Sequence, residues 1–201
     1  MKNMKQGGIP NLTARYAAKY DEAKLKAVVF DHYTDPYMVF SDFFAVSNIK
    51  EHLLGLKKMY KCATALMRIK TAPANVIYGR ELFSVVLNAT WVIDQTGVKF
   101  SQLEERELYR GRSGGVLSNE KAADYLTDAE INDPYLGIKN VFKKTDLHQC
   151  HVALNEWLKM ALCKNEFEAD YKGRRKLYKC IAKVLICCWL IYEREIVSPE
   201  V

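Results

Sequence analysis

The chain has 201 residues, of which 49% are hydrophobic and 27% are charged, and its formal net charge is +6. This is the composition of an ordinary globular protein, and the moderate positive charge permits contact with nucleic acid or an acidic partner without requiring it. The polar first ten residues carry no apolar core of a signal peptide, so we do not expect secretion by that route. The longest apolar run, residues 184–192, falls far short of the roughly 18 residues that span a membrane.

The cysteine pattern indicates a reducing compartment. No two of the six cysteines form a C-x-x-C pair, and most of them lie within apolar helical patterns. Without an export signal, this usage predicts free thiols in a cytoplasmic protein. The six are Cys62, Cys150, Cys163, Cys180, Cys187 and Cys188.

The first segment with helical periodicity is "LTARYAAKYDEAKLKAVVF", residues 12–30, which predicts an N-terminal helix. The segment "VFDHYT" at residues 29–34 is the only tempting strand, and it is short. The sequence therefore predicts an all-α fold.

The next helix begins at "DPY". Asp35 fits an N-cap, whose carboxylate accepts hydrogen bonds from free backbone N–H groups, and Pro36 fits the first helical position. A second start follows, where Asn48 and Glu51 have the spacing of a capping box. A third helix carries Trp91 and ends near Gly97, a residue typical of the position just after a helix.

The same order of elements recurs 98 residues later. Residues 35–95 align without a gap on residues 133–193, with 11 identities in 61 positions. Asp133 and Pro134 repeat the first cap, Asp146 and Gln149 repeat the second, and Trp189 repeats Trp91. The alignment predicts an internal duplication and a helical bundle of two pseudo-symmetric halves. The alternative explanation of the identities is that any two amphipathic helices share the same apolar spacing. The matched residues are mainly helix caps and core positions.

The predicted organisation is one compact domain in five segments. An N-terminal tail and helix (1–34) precede repeat A (35–95), an acidic helical connector (96–132), repeat B (133–193) and a C-terminal tail (194–201). The connector contains another possible capping box at Ser101 and Glu104 and a glycine-containing break, "SGGVLSN".

The last helix of repeat B is the most asymmetric part of the sequence. A basic face could follow the phosphates of a nucleic acid, although a solvated helix face explains the same pattern. This candidate anionic-partner face consists of Lys172, Arg174, Arg175, Lys176, Lys179 and Lys183. Beyond Lys183 the face continues as Ile186 and Leu190, so the later half of the helix is apolar nearly all round. Such a helix is buried in the monomer or covered by a partner, and these two residues are candidate apolar contacts.

No catalytic or metal-binding signature is present. In "HQCH", His148 and His151 can share one face of a helix, but Cys150 points elsewhere and no second cluster completes a site. The chain has no G-x-S-x-G, H-E-x-x-H, P-loop or G-x-G-x-x-G motif. It also lacks the Arg and His spacing of HEPN ribonucleases. We therefore expect no cofactor, no metal and no enzymatic activity.

The second half resembles a family of small, uncharacterised, helical bacterial proteins. In that family a VFKK-type segment precedes a W-L-x-x-A-L helix, and the chain ends on W-L-I-Y. The matching residues here are "GIKNVFKKTDLHQCHVALNEWLKMAL" at 137–162 and "CWLIYERE" at 188–195. The resemblance implies a bacterial, cytoplasmic, all-helical protein and implies no activity.

These observations lead to two functional expectations. The first is a non-catalytic interaction or accessory protein that binds another protein or a second copy of itself. The second is an accessory protein that binds nucleic acid through the basic face. An enzyme whose site is assembled only in three dimensions is a third reading, and a membrane partner is not expected.

Overall fold

The structure is a computed structural model that describes residues 35–65, 72–100, 122–162 and 171–197, without the side chains of residues 65, 171 and 172. These residues form helices and contain no strand, which confirms the all-α prediction. The predicted N-terminal helix, the "VFDHYT" segment, the Ser101 cap and the "SGGVLSN" break lie outside the described residues. In chain order the elements are α1 (Pro36–Val46), α2 (Ile49–Ala65), α3 (Pro73–Thr96), α4 (Asp128–Asn132), α5 (Pro134–Phe142), α6 (Leu147–Leu162), α7 (Tyr171–Ile191) and a π-helical turn (Tyr192–Val197).

Both "DPY" segments begin helices as predicted. The Asp35 carboxylate accepts a hydrogen bond of 2.9 Å from the Tyr37 N–H, and Asp133 accepts one of 3.2 Å from the Tyr135 N–H. A proline occupies the first turn of each helix, where a backbone N–H has no intrahelical partner. The two helices, α1 and α5, therefore begin by the same local chemistry.

The second pair of caps differs in one detail from the expected capping box. Asn48 accepts the Glu51 N–H at 3.1 Å, and Asp146 accepts the Gln149 N–H at 2.6 Å. The side chains of Glu51 and Gln149 do not return to the N-cap backbone. Each is hydrogen-bonded to the hydroxyl of the residue before the cap, Ser47 in one half and Thr145 in the other. Both halves share this variant.

The end of α3 is at the predicted glycine. Gly97 has a φ of 64°, a left-handed conformation that a residue without a Cβ adopts at little cost. Its N–H donates to the Ile93 carbonyl at 2.9 Å and so satisfies one of the free carbonyls at the helix end.

The two halves interlock around one core. Within each half the first helix packs on the third, so that α1 contacts α3 and α5 contacts α7. Between the halves α2 contacts α7, and the equivalent pair α6 and α3 is also in contact. One hydrophobic cluster contains residues from both halves, with Leu56, Leu87, Leu154 and Leu185 fully buried.

Equivalent residues meet where the halves cross. The hydroxyl oxygens of Tyr37 and Tyr135 lie 3.4 Å apart, and the Thr90 hydroxyl lies 3.2 Å from the Cys188 sulfur. The members of both pairs are separated by 98 positions, the offset of the sequence alignment. A two-fold axis relating the halves produces such contacts, because a residue on the axis touches its own equivalent. The contacts support the duplication, which stays a prediction.

A close approach of α5 and α7 depends on Gly137. A Cβ built on Gly137 would lie 2.5 Å from the Cys187 sulfur, a separation that packed atoms do not reach. The equivalents in the first half are Val39 and Ala89, both buried. One half therefore pairs a large residue on its first helix with a small one on its third, and the other half reverses the order.

Candidate functional site

The predicted basic face is only partly a surface. Arg175, Lys176 and Lys179 are exposed on the first half of α7, as predicted. The side chain of Lys172 lies outside the described ones. The remaining two members, Arg174 and Lys183, are largely buried and are bonded to other parts of the protein.

Arg174 does not belong to the exposed face, which corrects the prediction. The residue is 9% exposed, and its Nη1 donates a hydrogen bond of 2.8 Å to the Ala63 carbonyl near the end of α2. The last carbonyls of a helix lack intrahelical donors and carry partial negative charge, so a cation there stabilises the helix end. The equivalent residue of the first half is the buried Val76. Arg174 therefore fastens α7 to α2.

Lys183 also differs from the prediction, because its ammonium group is paired with a buried carboxylate. Its Nζ lies 2.5 Å from the Oε1 of Glu130, and the two side chains are 15% and 4% exposed. The same oxygen accepts a hydrogen bond of 2.8 Å from the Asn140 amide. Burial alone would raise the pKa of Glu130, but hydrogen bonds from Lys183, the Thr127 N–H and Asn140 outweigh it and lower the pKa to about 2.

Glu130 was not among the predicted site residues, although the sequence around it contains a signal. Residues 127–130 read "TDAE", a capping-box sequence, and the structure contains the complete box at the start of α4. The Thr127 hydroxyl accepts the Glu130 N–H, and the Glu130 carboxylate accepts the Thr127 N–H at 3.0 Å. Glu130 thus has two roles, since it caps α4 and holds Lys183.

The exposed part of the basic face borders a pocket of about 270 Å³. The pocket lies between the end of α5, the first half of α7 and the turn before α4. We call it the lysine pocket. Its lining consists of Asp124, Tyr125, Asn140, Val141, Lys144, Lys176, Lys179, Cys180 and Lys183.

The charges of the lysine pocket are not balanced. Lys183 is the one lining lysine with a carboxylate partner among the described residues. The Nζ of Lys176 contacts the Lys144 backbone carbonyl at 3.4 Å, which joins the end of α5 to α7, and Lys144 and Lys179 are exposed. Lys144 was absent from the predicted face because it lies in the turn after α5 and not on α7. The folded chain brings it to α7.

None of the four lining lysines has a basic residue at its equivalent position in the first half. The lining lysines 144, 176, 179 and 183 correspond there to Val46, Tyr78, Glu81 and Val85. Val46 and Tyr78 are 52% and 54% exposed. The lysine pocket is therefore a feature of one half and not a consequence of the shared architecture.

The candidate apolar contacts are corrected by their burial. Ile186 is fully buried and Leu190 is 3% exposed, and both belong to the common core. The all-round apolar character of the later part of α7 reflects its central position, where it contacts α2, α3 and α5.

The "HQCH" segment does not converge on one point. His148 is exposed, Cys150 is fully buried, and the Nε2 of His151 lies 2.6 Å from the Asn88 Oδ1 on α3. Burial raises the pKa of Cys150 to about 12. Among the described residues no group of three or more His, Cys, Asp or Glu side chains could hold a metal ion.

Among the described residues, one helix is long and apolar enough to span a membrane by length and composition alone. It is α3, Pro73–Thr96, and half of its apolar window is buried inside the fold. A central core helix has the same composition, so this feature is weak evidence for a membrane.

Comparison with known proteins gives no further assignment: no family model, no curated protein and no solved structure matches the chain. The resemblance of residues 133–195 to a helical bacterial family stays a prediction.

Proposed function

We propose that this protein is a non-catalytic accessory protein that binds nucleic acid through the lysine pocket and the exposed residues beside it. One observation carries the proposal: lysines from α7 and from the turn after α5 surround one pocket, and among described carboxylates only Glu130 pairs with any of them. Lysine side chains that neutralise phosphates release the counterions condensed on them, and this release supplies most of the non-specific affinity.

The surroundings of the pocket extend the positive surface. Arg175 on α7 and Lys143 at the end of α5 are both exposed. A strand that enters the pocket with one phosphate can place the next phosphates against these side chains. We propose a bacterial cytoplasm as the setting, supported by the resemblance and by the buried free cysteines.

The chemistry of the lining favours binding over catalysis. The lining contains no histidine and one carboxylate, Asp124, so it offers neither a histidine–carboxylate pair nor two carboxylates for general acid–base catalysis. Cys180 is the one thiol in the lining. Burial raises the pKa of that thiol, although Lys176 and Lys144 oppose the effect, and a protonated thiol is a poor nucleophile.

The test is oligonucleotide binding followed by fluorescence anisotropy at several salt concentrations. K176E/K179E should lose at least about tenfold in affinity, because reversing two charges replaces attraction to phosphate by repulsion. The matched control is K50E/K57E, which reverses two exposed lysines on α2 that do not line the pocket. Equal losses in the two variants would reduce the effect to net charge, and no binding by the wild-type protein would refute the proposal.

A protein partner, or a second copy of the chain, is a second candidate. It is favoured by the exposed apolar residues Val46, Ile77 and Tyr78, which are 52%, 44% and 54% exposed. These residues are the first-half equivalents of Lys144, Arg175 and Lys176. Light scattering after size exclusion checks it. A concentration-dependent dimer that I77E/Y78E abolishes supports this candidate, and a strict monomer at high concentration contradicts the self-association form.

A further inference from the structure

We infer that the lysine pocket selects a phosphate monoester, the dianionic group at the phosphorylated end of a nucleic acid strand or on a free nucleotide. This inference rests on the proposed function, because it names the group that the same site recognises.

The net charge of the lysine pocket favours a phosphate monoester. The four lining lysines are opposed by Asp124 and by the Glu130 carboxylate that holds Lys183, which leaves an excess of two positive charges. A phosphate monoester carries about 1.5 to 2 negative charges at pH 7, whereas an internal phosphodiester carries one. The monoester therefore matches the excess and the diester leaves half of it unneutralised.

One wall of the lysine pocket is held in place by hydrogen bonds within the protein. Glu130 is 3% exposed and its Oε1 holds both the Lys183 ammonium and the Asn140 amide. Two lining side chains are therefore positioned before any ligand arrives, so less side-chain entropy is lost on binding. Lys144, Lys176 and Lys179 remain exposed at the mouth and can close on the ligand.

The shape of the lysine pocket also favours a phosphate monoester. The pocket is a concavity of about 270 Å³ bounded by α5, α7 and the turn at Tyr125. A monoester has one covalent attachment, so its phosphate can enter such a concavity while the rest of the molecule stays outside. An internal phosphodiester has an attachment on each side and requires both to pass over the rim.

The experiment compares two oligonucleotides of one sequence, with a 3′ fluorophore and either a 5′-phosphate or a 5′-hydroxyl. The phosphorylated strand should bind at least about fivefold more tightly, since the recognised group gains a charge-assisted contact. The ratio should shrink as the pH falls from 7.5 to 5.5, because the second pKa of a phosphate monoester is about 6. The variant K179Q should reduce the ratio towards one, and its control K50Q should leave it unchanged.

Two further ligands separate the sources of the phosphate. Inorganic phosphate and a nucleoside monophosphate are titrated by calorimetry against the wild-type protein and K179Q. Binding of these ligands without oligonucleotide binding would support the pocket's selectivity and refute the proposed function. Oligonucleotides that bind equally with either end would refute the selectivity and leave the proposed function intact. If no phosphate ligand binds, both fail.

Discussion

The two halves of this molecule begin their helices in the same way and then present different chemistry at the same place. In the first half the site between the first and third helices is bordered by Val46, Tyr78 and Glu81, and in the second half by Lys144, Lys176 and Lys179. The caps at Asp35 and Asp133 are the same, and so is the variant in which Glu51 or Gln149 bonds to the preceding hydroxyl.

The difference separates what the fold requires from what it leaves open. The caps agree between the halves, and most core positions are apolar in both, because an uncapped helix start or a polar core residue costs stability. Exposed positions are not constrained by packing, so a difference there is the place to look for function. The predictions below test whether features of the second half are structural or functional.

The largest effect on stability is expected for Glu130→Gln, which has no described counterpart in the first half. The substitution leaves Lys183 with a neutral partner in a site where that lysine is 15% exposed. We expect a loss of about 3 kcal/mol in the free energy of unfolding, the cost of an uncompensated buried charge. Urea unfolding measures it. The surface variant Glu156→Gln, at an exposed position of α6, is the control and should change the free energy by less than about 0.5 kcal/mol.

The same pair gives the wild-type protein an acid-sensitive term. Glu130 has a folded-state pKa of about 2 against a usual value of 4.5. Its contribution to stability is therefore complete above pH 4.5 and is lost as the pH falls towards 2, by about 3 kcal/mol in total. The free energies of unfolding of the wild-type protein and E130Q, plotted against pH, should converge as the pH falls through this range. Parallel curves would show that Glu130 is not the group responsible.

The next effect tests the exchange of large and small residues between the halves. Gly137→Ala places a methyl group 2.5 Å from the Cys187 sulfur, and we expect a loss of about 2 kcal/mol from overpacking. Cys187→Ala removes the obstructing sulfur. The double variant should recover to within about 1 kcal/mol of the wild type, because alanine is also the better helix former. Additive losses in the double-mutant cycle would contradict the packing account.

A smaller effect separates the two neighbouring arginines of α7. Arg174→Met removes the donor to the Ala63 carbonyl, and we expect about 1 to 2 kcal/mol of destabilisation with little change in nucleic acid affinity. Arg175→Met should do the opposite, since this side chain is exposed beside the pocket. Unfolding and anisotropy measurements on both variants check that R174M mainly loses stability and that R175M mainly loses affinity. A larger affinity loss in R174M than in R175M would restore Arg174 to the binding face.

Local chemistry was predictable from the sequence, and tertiary partnership was not. The caps at Asp35 and Asp133 and the helix end at Gly97 follow from residue types at fixed spacing. A helical wheel of α7 groups Arg174 and Lys183 with the exposed lysines, because it contains neither the end of α2 nor the buried carboxylate of α4. Lys144 was missed for the same reason, since only the packing of α5 on α7 brings it to the pocket. The burial of Ile186 and Leu190 likewise depends on the position of α7 among its neighbours.

The most direct test of the central claim is the salt dependence of oligonucleotide affinity for K176Q/K179Q and for the wild-type protein. Neutralising two lysines that contact phosphate should reduce the slope of log affinity against log salt by about 1.4 on a single strand. The position-matched first-half variant Y78Q should leave the slope unchanged. Equal slopes for the wild-type protein and K176Q/K179Q would contradict the account, because they would show that the lysine pocket does not meet the phosphates.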